Sequence, residues 1–149
     1  MVDAVAIVSG EATGTVFLLD EPLSFWGGLD PATGNIIDEH HPQLGENLSG
    51  HILAMAHGRG SSSSTGVLAE AIRLGTAPSA IVMSEPDLIV TLGAMVANDL
   101  YGTSCPVIVV PSDVFTTLRT GDGIEIRDGG TAIEITRGDG RVGAAASDA

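Results

Sequence analysis

Residues 51–75 read HILAMAHGRGSSSSTGVLAEAIRLG and contain three segments of different character. The first is the short apolar run HILAMA, which predicts a buried strand. The second is a loop of glycines and serines at residues 57–64, which we call the serine loop. From Thr65 onward apolar residues recur every three or four positions, which predicts a helix that ends at Gly75. A strand, a tight glycine loop and a helix N-terminus therefore follow one another without interruption.

Serine–glycine runs are typical of flexible linkers between domains. Here the run joins two elements of one unit, because the alternation of strands and helices continues beyond it. We predict a strand at residues 79–84, a helix at 87–100, a strand at 106–112 and a short helix after it. Strands are also predicted at residues 4–8 and 14–20, and a closing hairpin at 123–136. This order predicts an α/β domain with a central, mostly parallel sheet and additional β-strands at one side.

The composition restricts the classes of function. The chain has 149 residues, of which 44% are hydrophobic, and a formal net charge of −13. Nucleic acids and anionic membrane surfaces are not expected as partners, since both require a basic face. The sequence contains no apolar run of the roughly 20 residues that a membrane span needs. Its start lacks the basic region of a signal peptide, so we expect a cytoplasmic protein. We place one domain at residues 1–137 and a flexible acidic tail at 138–149.

Two residue types are nearly or wholly absent. The chain has one cysteine, Cys105, which excludes an internal disulfide and cannot hold an iron–sulfur cluster unaided. All six basic residues are arginines, which excludes Schiff-base chemistry by a lysine of this chain.

The serine loop is predicted to face a ligand. Ligands of parallel sheets bind in the crevice at the carboxyl ends of the strands, and helix N-termini attract carboxylates and phosphates. Gly58 and Gly60 permit a sharp turn and a close approach of the backbone to a ligand. One hydroxyl is enough to cap a helix, whereas this loop contains four serines. The alternative interpretation, helix capping and solvation, therefore explains the number of serines less well than a ligand-facing loop does. Arg59 either stabilises a negative charge in the loop or is an exposed surface charge.

A second loop has the sequence SFWGGLDPATG at residues 24–34. It contains Trp26, the only tryptophan, beside Gly27 and Gly28. The loop either lines a pocket or a subunit interface, or it places a buried anchor under a turn. Asp30 precedes a proline and either contacts substrate or forms the turn.

The histidines give no metal site by their spacing. His40 and His41 lie among carboxylates, but adjacent side chains point apart and chelate one ion poorly. We expect no metal ligand in this chain. His51 opens a predicted strand and His57 adjoins the serine loop.

The motifs SFWGGLDPATG, HPQLG and GRGSSS, in this order, resemble the small subunit of aconitase X, the swivelling-domain partner in a group of hydro-lyases. The resemblance extends over roughly residues 6–135 and implies a swivelling β/β/α fold. It also implies that a loop serine is the proton acceptor, with Ser61 the best positional match and Ser62 the second. Expected substrate-binding residues are Gly58, Arg59, Gly60 and Ser63. Expected interface or pocket residues are Trp26, Gly27, Gly28 and Asp30.

The resemblance further implies a large subunit, in a heterodimer or a larger assembly, that holds iron or an iron–sulfur cluster. No cofactor is expected on this chain alone. The implied reaction is a β-elimination in which Ser61 takes a proton beside an activating group and the iron, as a Lewis acid, takes the hydroxyl. The expected substrate is a small hydroxy acid, cis-3-hydroxy-L-proline, and the alternative is mevalonate 5-phosphate. No arginine follows the serine pair, so a tricarboxylate is not expected.

Two hypotheses belong to other classes. A phosphohistidine-type carrier domain shares the swivelling fold, but it needs a histidine in the mobile loop, and here His57 precedes the glycines. A non-catalytic swivelling binding module without a large subunit is the other. Detection of a partner protein would distinguish the enzyme-subunit hypothesis from this binding-module hypothesis.

Overall fold

The structure is a computed structural model that describes residues 1–60 and 62–138. Its strands are β1 Val2–Asp3, β2 Val5–Val8, β3 Ala12–Leu18, β4 Ile52–Ala54, β5 Ala80–Met83, β6 Val107–Val109, β7 Gly123–Arg127 and β8 Ala132–Thr136. Its helices are α1 Ser63–Leu74, α2 Leu88–Tyr101 and α3 Ser112–Phe115, with a 3₁₀ turn at Asp128–Gly130. The strands form one sheet in the order β1-β8-β7-β3-β4-β5-β6-β2.

The centre of the sheet is parallel. Strands β3, β4, β5 and β6 pair in parallel, and α1 and α2 provide the crossovers between β4, β5 and β6. Strands β7, β8 and β1 extend the sheet on the β3 side with antiparallel pairs. The predicted α/β class with a mostly parallel centre and added strands is therefore confirmed. One further antiparallel strand, β2, lies on the opposite edge against β6.

Strand β3 joins the two parts of the sheet. Its residues 12–15 pair with β7, and its residues 16–18 pair with β4. Gly14 lies where the partners change, and a Cβ there would be 3.3 Å from the Ile52 side chain. A side chain at this position would press against β4, so glycine permits the close packing.

Each face of the parallel strands packs against its own apolar cluster. Phe17, Leu53 and Ile81 point to the side covered by α1 and α2, where Leu68 completes the packing. The alternate residues point to the other face. They include Val16, Ile52, Val82 and Ile108, which cluster with Ile124 and Ile133 of the antiparallel strands β7 and β8. The continuous apolar runs in the sequence follow from this burial on both faces.

The helices begin and end close to the predicted positions. Helix α1 begins at Ser63 rather than near Thr65 and stops at Gly75, whose φ of +78° closes the last turn. Within the residues that the structure describes, no helix has both the length and the apolar character needed to cross a membrane. Of the predicted tail, residues 139–149 lie outside the described residues.

A buried carboxylate connects the end of the sheet to the turn before β7. Asp122 is 2% exposed. It accepts hydrogen bonds from the Arg119 N–H at 3.0 Å, the Arg137 guanidinium at 2.7 Å and the Gly138 N–H at 3.1 Å. Its backbone oxygen accepts from the Val16 N–H at 2.8 Å, so this residue also holds β3.

We expect Asp122→Ala to lower the free energy of unfolding by about 2–4 kcal/mol, because two N–H donors and a guanidinium lose a buried acceptor. Urea unfolding followed by circular dichroism measures this change. Asp113→Ala, which removes an exposed carboxylate of α3, is the control and should change the free energy by less than about 0.5 kcal/mol. Equal effects of the two substitutions would contradict a structural role for Asp122.

Candidate active site

Three loops leave the sheet at the carboxyl ends of β3, β4 and β5. Because these strands are parallel and adjacent, their loops begin side by side. The loop after β3 contains Ser24 and Trp26, the loop after β4 contains Gly58 and Gly60, and the turn after β5 contains Asp87. Ser24 and Arg59 form an isolated parallel bridge, so the first two loops stay in contact beyond the strands.

Both glycines of the serine loop are required by close neighbours. A Cβ on Gly58 would be 2.1 Å from a carboxylate oxygen of Asp87. Gly60 has a φ of +105°, and a Cβ there would be 2.1 Å from the Ser24 Oγ. The expectation that these glycines permit close approach is thus explained by protein neighbours. Their contact with a substrate stays a prediction.

The N-termini of the two helices differ in capping. In α2 the side chain of Asp87 accepts a hydrogen bond from the Val90 N–H at 2.9 Å. In α1 the N-cap residue Ser62 makes no such side-chain bond, and the first turn contains no acidic residue. The N–H groups at the start of α1 are therefore not neutralised by a carboxylate of their own helix, which favours binding of an anion there.

The serines of the loop fall into different classes. Ser61, the expected base, lies outside the described residues. Ser62 and Ser63 are exposed at the start of α1. Ser64 is 1% exposed and accepts a hydrogen bond from the Trp26 N–H at 3.0 Å. Because its hydroxyl is buried and already bonded, Ser64 is not available as a base.

Arg59 is held loosely at the rim. Its side chain is 58% exposed, and its guanidinium lies 3.8 Å from the Glu21 carboxylate and 3.5 Å from the Pro22 carbonyl oxygen. An exposed ion pair at this distance contributes little to stability, so the side chain retains freedom to turn toward a ligand. Its predicted role in binding substrate is not decided by these contacts.

Trp26 is a surface residue. It is 62% exposed, whereas Leu23 and Phe25 are each 1% exposed in the core. The buried anchor in this loop is therefore Phe25 and not Trp26. Gly28 permits the turn that follows, since a Cβ there would be 2.1 Å from the Ser24 carbonyl oxygen. Gly27, with a φ of +74°, has open space beside it.

Asp30 is not brought to the serine loop. Its carboxylate accepts hydrogen bonds from the Ala32 N–H at 3.0 Å and the Thr33 hydroxyl at 3.1 Å. The adjacent Pro31 carbonyl accepts from the Thr76 hydroxyl at 2.6 Å, just beyond the last turn of α1. Asp30 thus forms a turn near the carboxyl end of α1, and its expected place at an interface or pocket stays a prediction.

Three residues near the loop were not identified from the sequence. Ser24 and Ser64 meet across 3.4 Å although 40 positions separate them. Asp87 offered a recognisable signal, since an aspartate before an apolar helix predicts an N-cap. Nothing in the sequence indicated that its carboxylate also packs against Gly58.

The described residues do not fit an iron site. In residues 1–60 and 62–138 there is no group of three His, Cys, Asp or Glu side chains that could hold a metal ion. Burial raises the pKa of the Cys105 thiol to about 12, which disfavours the thiolate that binds metals. His41 accepts from the Gln43 N–H through Nδ1 and donates from Nε2 to the Glu21 carbonyl, so both ring nitrogens are engaged.

The sequence family can now be assigned. The model of the aconitase X swivel domain matches residues 1–135. The chain belongs to this family. The swivelling fold that the sequence motifs implied is thereby confirmed. The match covers the serine loop, the SFWGG loop and every strand of the sheet except the last residue of β8.

Named relatives of this swivel domain include two kinds of dehydratase. A cis-3-hydroxy-L-proline dehydratase of Hypocrea jecorina is 42% identical over 134 residues, which cover 90% of this chain and 22% of the relative. A phosphomevalonate dehydratase small subunit of Methanothermobacter thermautotrophicus is 38% identical over 97 residues, 65% of this chain and 74% of the relative. The chain therefore spans less than a quarter of the first relative.

A solved structure has the same fold. The holo-form crystal structure of Thermococcus kodakaraensis aconitase X superposes with a TM-score of 0.78 at 33% identity. The match covers 91% of this chain and 97% of that one.

We expect Gly60→Ala to lower the free energy of unfolding by about 1–3 kcal/mol, because it strains a positive φ and displaces Ser24. Gly66→Ala is the matched control, since Gly66 lies exposed in α1 with no atom within 4 Å of its Cβ position. That control should leave stability unchanged or raise it by about 0.5–1 kcal/mol. Urea unfolding of both variants measures the difference. A Gly60→Ala variant with an unchanged free energy of unfolding would contradict this loop geometry.

Proposed function

We propose that this chain is the small subunit of an iron-dependent hydro-lyase that dehydrates a hydroxy acid, with cis-3-hydroxy-L-proline as the substrate. One observation carries the proposal. The serine loop leads into the N-terminus of α1, where Ser62 provides no side-chain cap and no acidic residue stands in the first turn. Membership of the aconitase X swivel-domain family agrees with this chemistry and favours it over a phosphohistidine carrier or a non-catalytic module.

In the proposed reaction Ser61 is the proton acceptor, with Ser62 as the second candidate. The C–H bond beside the carboxyl group breaks, its proton passes to the serine oxygen, and its electron pair forms the new double bond as hydroxide leaves. A serine oxygen is a base at neutral pH only when its negative charge is stabilised. The free N–H groups of α1 and the exposed Arg59 guanidinium would provide this stabilisation.

The same groups are proposed to orient the substrate. Backbone N–H groups near Gly60 to Ser63 would hold the carboxylate, because a helix N-terminus favours an anion. Gly58, Arg59, Gly60 and Ser63 are therefore proposed to bind the substrate. The two glycines contribute by keeping side chains out of the space beside Asp87 and Ser24.

Departure of the hydroxyl requires an electrophile that the described part of this chain does not offer. We assign this role to iron or an iron–sulfur cluster in a large subunit. Helix α2 supports such a partner, because it exposes Leu88, Leu92, Met95 and Leu100, which are 40–71% exposed. Apolar residues grouped on one helix face are typical of protein interfaces. A cytoplasmic location stays a prediction.

The second candidate substrate is mevalonate 5-phosphate. One observation favours it, which is that the chain covers 74% of a relative named as the small subunit of phosphomevalonate dehydratase. The higher identity and wider coverage of the chain by the hydroxyproline relative support the first candidate.

Anaerobic affinity purification of this chain from its own cells tests the partner. We expect a stable protein of several hundred residues to co-purify with iron, because residues 1–60 and 62–138 of this chain offer no group of ligands that could hold the metal. The complex should release water from cis-3-hydroxy-L-proline and not from mevalonate 5-phosphate. Recovery of the chain alone and free of iron would contradict the two-subunit proposal.

Within that complex, Ser61→Ala should lower kcat at least about 100-fold, since the proton acceptor is lost. The KM should change less than about threefold, because the N–H groups that bind the carboxylate remain. Ser79→Ala is the control, since its hydroxyl bonds only the Gly50 carbonyl at the amino end of β5. If Ser62→Ala rather than Ser61→Ala removes activity, the base is Ser62.

A further inference from the structure

The only tryptophan of the chain lies exposed beside the serine loop. Trp26 is 62% exposed, although Leu23 and Phe25 on the same segment are buried in the core. These two residues already fix the segment to the body of the domain. Any further bonds to the Trp26 backbone therefore hold the main chain from which the exposed indole projects.

Two serine hydroxyls make such bonds. The Trp26 N–H donates to the Ser64 Oγ at 3.0 Å, and the Ser24 hydroxyl donates to the Trp26 carbonyl at 3.2 Å. The two hydroxyl oxygens are 3.4 Å apart. A hydroxyl has one proton, and that of Ser24 is directed to the carbonyl, so Ser64 donates to Ser24. We call this closed set of three hydrogen bonds the serine ring.

The serine ring is tied to the serine loop. Ser64 belongs to the first turn of α1. Gly60 makes room for the ring, since a Cβ there would be 2.1 Å from the Ser24 Oγ and 3.2 Å from the Ser64 Oγ. A change in the ring is thus transmitted directly to the residue that precedes the proposed base.

The serine ring bonds both backbone polar groups of Trp26. With its N–H and its C=O bonded, Trp26 loses the backbone freedom that an exposed loop residue normally has. Ser64 is 1% exposed, so water does not compete for its bond to Trp26. Pre-ordering of this kind lowers the entropic cost of binding a ligand against the indole.

We propose that Ser64 and Ser24 are positioning residues that fix Trp26 beside the N-terminus of α1, where its indole forms one wall of the substrate site. This inference rests on the proposed function, since it uses the same site. The indole packs against the apolar ring atoms of the substrate, while the N–H groups of α1 bind the carboxylate.

The test uses 5-fluorotryptophan incorporated into this chain alone, which gives a single ¹⁹F NMR resonance in the assembled enzyme. We expect one narrow resonance that shifts on addition of cis-3-hydroxy-L-proline. Ser64→Ala should broaden or split it and raise KM about fivefold to tenfold, as loss of one ordering hydrogen bond predicts, with kcat changed less than about twofold. Ser24→Ala should broaden or split the resonance and raise KM in the same way. The double variant should show no further rise in KM, because both serines belong to one ring.

Ser79→Ala is the matched control, because it removes a serine hydroxyl bonded to a single carbonyl far from the loop. An unchanged resonance in Ser64→Ala would show that the ring does not hold Trp26 and overturn the inference. So would a broadened resonance with an unchanged KM. If Ser64→Ala fails to fold, Ser24→Ala, at a less buried position, decides the same question. A wild-type complex without dehydratase activity would refute the proposed function, whereas the resonance, which needs no turnover, would still report on the ring.

Discussion

Strand β3 has a different partner on each side, and the position of every site residue depends on these pairings. Its first residues pair with β7 in the antiparallel part, and residues 16–18 pair in parallel with β4. The chain after Leu18 and the chain after Ala54 therefore leave the sheet next to each other and in the same direction. The bridge between Ser24 and Arg59 continues this arrangement beyond the strands. Without this parallel pair, the Trp26 segment and the serine loop would not meet.

The alternation of strands and helices in the middle of the chain was predictable because buried strands and amphipathic helices differ in period. The elements β4, α1, β5, α2 and β6 all lie where the apolar pattern placed them. The short β1 was missed, since two residues carry no period. The direction of β2 was also not predictable. It follows from pairing with β6, which is more than a hundred positions away, and local sequence contains no information about such a pairing.

The site was predictable only in part. The glycine–serine loop between a strand and a helix indicated a ligand-facing segment from local sequence alone. The exposure of Trp26 was not predictable, because it depends on Phe25 taking the core position beside it. The bond between Ser24 and Ser64 depends on the parallel pair of β3 and β4. The surroundings of the Asp30 turn were not predictable from local sequence either, since the adjacent Pro31 carbonyl accepts from the distant Thr76 hydroxyl.

A net charge of −13 conflicts with the anionic substrate proposed above, and the groups at the start of α1 reduce this conflict. At physiological ionic strength the field of remote carboxylates is screened over about 8 Å, so the groups nearest to the ligand dominate. At the start of α1 these are backbone N–H groups and Arg59. The Asp87 carboxylate, which lies beside Gly58, accepts a hydrogen bond from the Val90 N–H of its own helix. The N-terminal dipole of α2 partly offsets the charge of Asp87, which lessens its repulsion of a carboxylate at the neighbouring, uncapped α1. The remote acidic surface then has a weaker effect on the site than the groups beside the ligand, and the proposed reaction would draw its remaining positive charge from the proposed partner.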